Sequence, residues 1–224
     1  MDNAPFANCE VVFLGTTKLS HANVDTINTF KQKYNLQDAS PVLLSVGAIK
    51  YRKGQLEVVR SLPQLKKKYP NIQYVMIGSD RDSFYVGEIN RYAEEHGLEN
   101  NIIIIPDVHT DSDLAVFYEL CDIFILVSNN QGDHFEGFGL VFLEAGQFGK
   151  PGIGSFGCGI EDAIKDGYNG YLIPQGDSGA IHDRIGKLLR DYETFSNNAI
   201  EFQAHFSWDK TIDRYLEIYN DAPK

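Results

Sequence analysis

The sequence predicts a doubly wound α/β domain: one parallel sheet with helices on both faces. Three observations carry that prediction. From Pro41 onward, short apolar runs alternate with helix-periodic segments about six times, the pattern of a parallel sheet built from crossover units. The runs are almost wholly apolar, with no polar alternation, as strands buried on both faces are. The first two end in glycine, at Gly47 and Gly78, where a strand must turn sharply into a helix.

Residues 1–40 read as a linker or hinge, with a short strand expected at residues 11–14 and a helix over residues 24–34 capped by Asn23. The domain occupies residues 41–224. Its first strand is residues 42–46. Leu56, Val59, Leu62, Leu65 and Tyr69 then recur at helical spacing, with Pro63 predicting a kink or break. Further strands are expected at residues 74–77, 102–105 and 123–127, and short ones at Ile153 and residues 171–173. Helices are expected over residues 84–96, from a cap near Asp111 or Ser112, and over residues 139–148, 181–192 and 208–219. In the last, Trp208, Ile212, Tyr215, Leu216 and Tyr219 share one face.

Composition narrows the function. The chain has 224 residues, 43% of them hydrophobic, enough for a sizeable core and against disorder. No apolar run approaches the roughly 20 residues of a membrane span. Residues 1–10 lack the basic and apolar stretches of a signal peptide, so a cytoplasmic setting is expected. Cys9, Cys121 and Cys158 are widely spaced and form no CxxC. A net charge of -11 disfavours nucleic acid and anionic membrane as partners. An anionic ligand must then be held by a few placed cations and by helix N-termini.

Two segments fit that requirement. In Gly47-Ala48-Ile49-Lys50-Tyr51-Arg52-Lys53-Gly54, three cations fall within four positions after the first strand. The segment suits a phosphate or is an exposed basic loop. In Glu136-Gly137-Phe138-Gly139-Leu140-Val141-Phe142-Leu143-Glu144, two carboxylates flank a glycine turn that opens an apolar helix. There the backbone N–H groups are free to approach an anion, and Glu144 either meets a polar partner or faces solvent. A third segment, Gly152-Ile153-Gly154-Ser155-Phe156-Gly157, matches G-x-G-x-x-G with Asp177 beyond it. It lacks the preceding strand that a dinucleotide site requires. The histidines are scattered, and no metal or cofactor is called for.

Taken in order, SVGAIKYRKG, YVMIGSD, YELCDIFILVS, GDHFEGFGLVFLEAGQFGKPGIGS and GIEDAIKDGYNGYLI resemble the C-terminal domain of glycosyltransferase family 4, retaining enzymes of the Rossmann-like, two-domain GT-B fold. The EGFG form after an acidic loop is most similar to mannosyltransferases of the phosphatidylinositol mannoside type. The resemblance implies a donor site for a nucleotide diphosphate sugar, GDP- or UDP-linked. It implies Lys53 and Glu136 as the catalytic groups, Lys53 on the diphosphate and Glu136 on the transferred hexose. Gly47 and Arg52 belong to the same donor-binding set. The backbone of Gly137, Phe138, Gly139 and Leu140 meets sugar and diphosphate, Glu144 the ribose, and Val108 lies by the base. Three departures stand out. Ala48 replaces the family's usual arginine, with Lys50 or Arg52 to compensate. Gly152 replaces a branched apolar residue, which is expected to loosen that strand. The acceptor-binding N-terminal domain has no counterpart, so an N-terminal domain or partner chain is expected, and the chain alone is expected to be inactive. The alternative is a non-catalytic module that binds a nucleotide sugar or a protein.

Overall fold

Residues 42–46, VLLSV, are apolar at four of five positions, and they form the central strand of the sheet. A computed structural model of the chain describes residues 10–106, 108 and 110–221. Around this strand, β1 (Val42–Val46), lie β2 (Gln73–Ile77), β3 (Ile102–Ile105), β4 (Ile123–Leu126), β5 (Gly152–Ser155) and β6 (Gly170–Ile173). Their order is β3-β2-β1-β4-β5-β6, and every pair is parallel. The chain winds outward from β1 to β3, then returns to the other side of β1 through β4. The topological switch point therefore lies between β1 and β4, and the loops leaving these strands share one edge.

Side-chain alternation along each strand divides the core in two. Leu43, Tyr74, Met76, Ile123, Ile125 and Ile153 face a layer containing Leu62 of α2 (Gln55–Lys68), Ile89 of α3 (Ser83–Glu95) and Ile185 of α6 (Ser178–Arg190). Val42, Leu44, Val75, Ile77, Phe124 and Leu126 face a layer containing Phe117 of α4 (Asp111–Leu120) and Phe142 of α5 (Leu140–Gln147). The one polar side chain of β1, Ser45, is buried but satisfied: its hydroxyl donates to the Ile125 carbonyl and pairs with Tyr74 Oη at 2.7 Å.

Residues 11–14 form no strand. Val11, Phe13 and Leu14 are exposed, and among the described residues the pairing nearby is a single bridge between Thr16 and Ser207. Among the described residues no strand edge pairs with them to complete a ladder. The helix after Asn23 forms as α1 (Val24–Lys33), with the Asn23 side chain accepting from Thr26 N at 2.8 Å. Phe30 and Tyr34 pack on Phe117 of α4 at 5.4 and 5.2 Å between ring centroids.

Helix α2 runs unbroken through Pro63. Val58, Val59, Leu62 and Leu65 are fully buried on either side of it, so packing outweighs the missing backbone hydrogen bond. The cap of α4 is Thr110, whose hydroxyl accepts from Asp113 N at 3.1 Å. The sequence reading ended a helix at Tyr192 and missed the next, α7 (Tyr192–Gln203). Its Thr, Ser and Asn residues are weak helix formers, but Phe195 and Ala199 are buried and hold it. It lies so close to α5 that a Cβ at Gly146 would sit 3.1 Å from the Ala199 carbonyl oxygen. The last helix, α8 (Trp208–Asp221), leaves its apolar stripe outward: Trp208, Ile212, Tyr215, Leu216 and Tyr219 are all exposed.

Gly152 does not loosen β5. A Cβ there would lie 2.7 Å from the Phe142 ring, so the ring fills the space a branched side chain would take. The G-x-G segment is itself strand β5, and Asp177 caps α6 by accepting from Ala180 N at 3.0 Å. Neither belongs to a dinucleotide turn.

Candidate functional site

The loops after β1 and β4 are joined by their backbones. Asn129 N donates to the Arg52 carbonyl at 2.8 Å. Gly54, at φ +71°, lets the first loop pass against β4, since a Cβ there would lie 2.0 Å from the Val127 carbonyl oxygen. Gly78, at φ +144°, does the same for the loop after β2, which presses on Gly47.

On this frame a short turn, Tyr51–Lys53, swings Lys53 across the switch point. Its Nζ donates to Glu136 Oε2, a partner 83 positions away in sequence. Ser128 Oγ donates to the same oxygen at 3.3 Å, and Arg52 Nη1 approaches it at 3.7 Å. Lys53 and Glu136 are only 14% and 15% exposed, so their attraction is poorly screened. A Cβ at Gly47 would lie 3.8 Å from Lys53 Nζ, placing the lysine at the end of β1. Two buried donors of the junction, Arg52 Nη1 and Asn129 Nδ2, have no hydrogen-bond partner among the described residues. Buried donors without a protein partner are met by water, an ion or a ligand, and Arg52 Nη1 is also drawn to the Glu136 carboxylate.

The turn after Glu136 is braced by the loop after β5. Gly159 N donates to the Glu136 carbonyl at 2.8 Å. A Cβ at Gly159 would fall 1.9 Å from the Gly137 carbonyl oxygen. Gly139, at φ +79°, starts α5 and offers no side-chain cap, so the first N–H groups of the helix are left for a ligand. Gly137 has open space around it. The Phe138 ring turns away, stacking on Phe13 at 5.4 Å and lying 5.7 Å from Phe206, so only its backbone borders the turn. Leu140 is half-buried against the apolar layer.

Glu144 stands outside the Lys53 cluster. Its Oε2 accepts from Tyr118 Oη of α4 at 2.7 Å. Burial pushes its carboxyl above the usual range, opposed by the Tyr118 hydrogen bond and reinforced by the like charge of Asp111. Val108 lines a cleft of about 500 Å³ at the carboxyl ends of β1, β2 and β3, together with Gly47, Ala48, Gly78, Arg81 and Leu114. The sequence marks Ser128 only as the start of the loop after the fourth strand, and it singles out neither Gly159 nor Tyr118. Gly159 stands in the Gly-Cys-Gly triplet, a mark of close backbone approach. Tyr118 carries no such mark.

A six-stranded parallel sheet with a cationic cluster and a free helix N-terminus at its switch point defines a Rossmann-like ligand-binding domain. Residues 26–203 match the model of the family described as glycosyl transferases group 1. The chain belongs to that family. It is 26% identical over 163 residues to the GDP-mannose-dependent alpha-(1-6)-phosphatidylinositol monomannoside mannosyltransferase of Mycolicibacterium smegmatis, covering 72% of this chain and 41% of that protein. It is 30% identical over 187 residues to the D-inositol 3-phosphate glycosyltransferase of Corynebacterium glutamicum, covering 81% and 43%. The Anabaena HepE structure in complex with UDP and glucose superposes with a TM-score of 0.82 at 21% identity, over 95% of this chain and 57% of that one. The C-terminal domain of a group 1 glycosyl transferase, LpcC of Francisella tularensis, superposes with a TM-score of 0.66 at 26% identity, over 77% of this chain and 89% of that one. The chain thus spans about two-fifths of the length of these curated relatives.

Proposed function

We propose that this chain is the donor-binding domain of a retaining glycosyltransferase. It holds a GDP- or UDP-linked hexose for transfer to an acceptor, and it needs an acceptor-binding domain to do so. The observation that carries the reading is the Lys53–Glu136 cluster at the switch point, beside the uncapped start of α5. The diphosphate lies along Lys53 and the N–H groups after Gly139. Charge that develops on it as it leaves is stabilised there by fixed groups. Glu136 meets hydroxyls of the sugar, and the backbone of Gly137 to Leu140 lines the passage between them. The nucleoside lies in the cleft of Gly47 and Val108, with Glu144 directed to the ribose. Support comes from the family match and from neighbours solved with UDP and with UDP-glucose. The reading also extends to a cytoplasmic setting. Among the described residues no helix is long and apolar enough to cross a membrane.

Calorimetric titration with UDP, GDP, UDP-glucose, GDP-mannose and NAD tests the reading. Binding of a nucleoside diphosphate or its sugar, without NAD, is the expected result. Binding of NAD alone overturns it. Lys53→Ala weakens nucleoside diphosphate by about tenfold to a hundredfold, the loss of one charge-assisted hydrogen bond of roughly 1.5–3 kcal/mol. Glu136→Ala weakens the nucleotide sugar far more than the bare diphosphate, and equal loss for both removes Glu136 from the sugar. In the absence of an acceptor domain the chain transfers no sugar, because the diphosphate stays open to water, where each electrostatic contact is weakened.

A further inference from the structure

The glutamate turn has one side chain by which it can be held. Between Glu136 and Leu140 stand Gly137, Phe138 and Gly139. Gly137 has open space where a Cβ would be, and Gly139 sits at φ +79°. Glycine loses more conformational freedom on ordering than any other residue. The turn therefore keeps its shape through contacts from outside it. From one side comes the loop after β5, with Gly159 N on the Glu136 carbonyl. From the other comes whatever holds the Phe138 ring.

That ring is held by a segment belonging to no strand or helix. Phe13 lies on Phe138 with ring centroids 5.4 Å apart and planes inclined by 13°. Phe206 meets both rings, Phe13 edge-on at 5.8 Å and Phe138 at 5.7 Å, and Phe202 of α7 backs Phe206 at 5.3 Å. The backbone around Phe13 is pinned to the start of α8 and the residues just before it. Thr211 Oγ1 donates to the Phe13 carbonyl at 3.0 Å. A Cβ at Gly15 would lie 2.3 Å from Trp208 N, so glycine is what lets the segment come so close. Thr16 N donates to the Phe206 carbonyl at 2.9 Å. Phe13 and Phe206 both lie outside residues 26–203, the span of the family match.

We propose that Phe13 is a positioning residue of the donor site: its ring, seated by α8, fixes Phe138 and so sets the Glu136–Gly139 turn. Phe13 itself touches no ligand. Without it the Phe138 ring loses its stacked partner, and the glycines on either side are free to turn. The N–H groups after Gly139 and the Glu136 carboxylate then lose their fixed relation to Lys53, which is anchored separately through Gly54 and Val127. The effect on the turn stands on the packing alone, and its consequence for a ligand rests on the donor reading above.

Two measurements on Phe13→Ala, Phe13→Leu and Val11→Ala test the proposal. The first is amide hydrogen exchange without ligand, read at Gly159 and Phe142, whose N–H groups close on the Glu136 and Gly139 carbonyls. Phe13→Ala is expected to speed exchange at both about three- to tenfold, the worth of one aromatic pair, and by more than at Leu44 and Ile125 of the sheet. Phe13→Leu is expected to recover part of the loss. Val11→Ala, in the same segment but 77% exposed, is expected to change nothing. The second is titration with UDP and GDP, and with uridine and guanosine. In Phe13→Ala the diphosphate is expected to weaken by about three- to tenfold, with the nucleoside unchanged, because the nucleoside lies in the Gly47–Val108 cleft. Unchanged exchange at Gly159 and Phe142 overturns the proposal. So does equal acceleration in the sheet, or equal loss of nucleoside and diphosphate, since Phe13 then serves stability alone. Failure of the donor reading looks different: the parent chain binds neither UDP nor GDP, while the exchange effect of Phe13→Ala persists.

Discussion

Replacing Lys53 by Met removes one charge from a pair whose members are 14% and 15% exposed, while keeping most of the apolar stem. Exposed ion pairs contribute about 0–1 kcal/mol. Removing one member of a fully buried pair costs about 3–5 kcal/mol. This pair lies between those limits, nearer the buried one in exposure. Glu136 also keeps Ser128 at 3.3 Å and Arg52 at 3.7 Å after the lysine is gone. These partners bring the expected cost to about 2 kcal/mol. With a urea m-value of roughly 2–3 kcal/mol/M, the midpoint should fall by roughly 0.7–1 M. Glu136→Gln alone should cost less, since the amide oxygen still accepts from Lys53. In the double variant the two losses should not add, leaving a coupling of about 1–2 kcal/mol. Equilibrium urea unfolding of the four proteins measures it, and 0.5 M salt should reduce the coupling only in part. Losses that add to within about 0.3 kcal/mol would mean that the pair does not form in solution. The cluster at the switch point would then lose its foundation.

Glu144 gives a pH-dependent outcome. Its folded pKa is raised by burial, so the stability it contributes is present below the ordinary carboxylate range and is lost as pH rises through the raised value. Glu144→Gln keeps an acceptor for Tyr118 and should therefore raise Tm at pH 7 to 8, with the gain vanishing near pH 4. A gain that is equal at both pH values counts against burial as the cause. Gly152→Val forces two methyl groups into the Phe142 ring and should cost about 1–3 kcal/mol by overpacking. Phe142→Leu in the same chain should recover part of it, and a Gly152→Val variant as stable as the parent would contradict the packing. Gly54→Ala should abolish the soluble fold or lower Tm sharply, because its Cβ meets backbone and not a movable side chain. Circular dichroism melts read it directly.

The sheet was legible because its signal is local. Continuous runs such as Val42–Val46 and Ile102–Ile105 have no other stable reading when glycine follows or helical spacing flanks them. Strand order was legible only as a class, since periodicity does not say on which side of β1 the fourth strand lands. The misses have a common cause. Helix α7 is made of weak helix formers and exists through Phe195, Ala199 and the close approach allowed by Gly146 of α5 and by Gly149 just after it. The run at residues 11–14 has strand-like residues but no neighbouring edge. Pro63 marks a break by local rules, and burial on both sides overrules it. In the site, Lys53 and Glu136 could be singled out as charges beside glycine turns, though not their direct pairing. Tyr118, 26 positions before Glu144, lies on a helix as an ordinary buried aromatic, and nothing local announces its hydrogen bond.

The segment that most resembled a different site turns out to set the geometry of this one. A Cβ at Gly154 would lie 2.3 Å from Ile160 and 3.3 Å from the tip of the Phe142 ring, and one at Gly152 would lie 2.7 Å from the same ring. Two glycines in β5 thus form a shallow floor. Phe142 lies on that floor and also meets Phe124 edge-on at 4.8 Å, which draws α5 close to the strands. Ile160 lies there too, one residue after the Gly159 that braces the Glu136 carbonyl. The heights of the helix start and of the glutamate turn are therefore fixed by the same pair of missing side chains. A branched residue in β5 would lift the Phe142 ring and, with it, the first turn of α5. The N–H groups after Gly139 would then move relative to Lys53, which is anchored separately through Gly54 and β4. Placing a charged group to a fraction of an ångström is thus a matter of apolar packing one layer below it. The glycine spacing in β5 belongs to the site through that packing, not through any contact with a ligand.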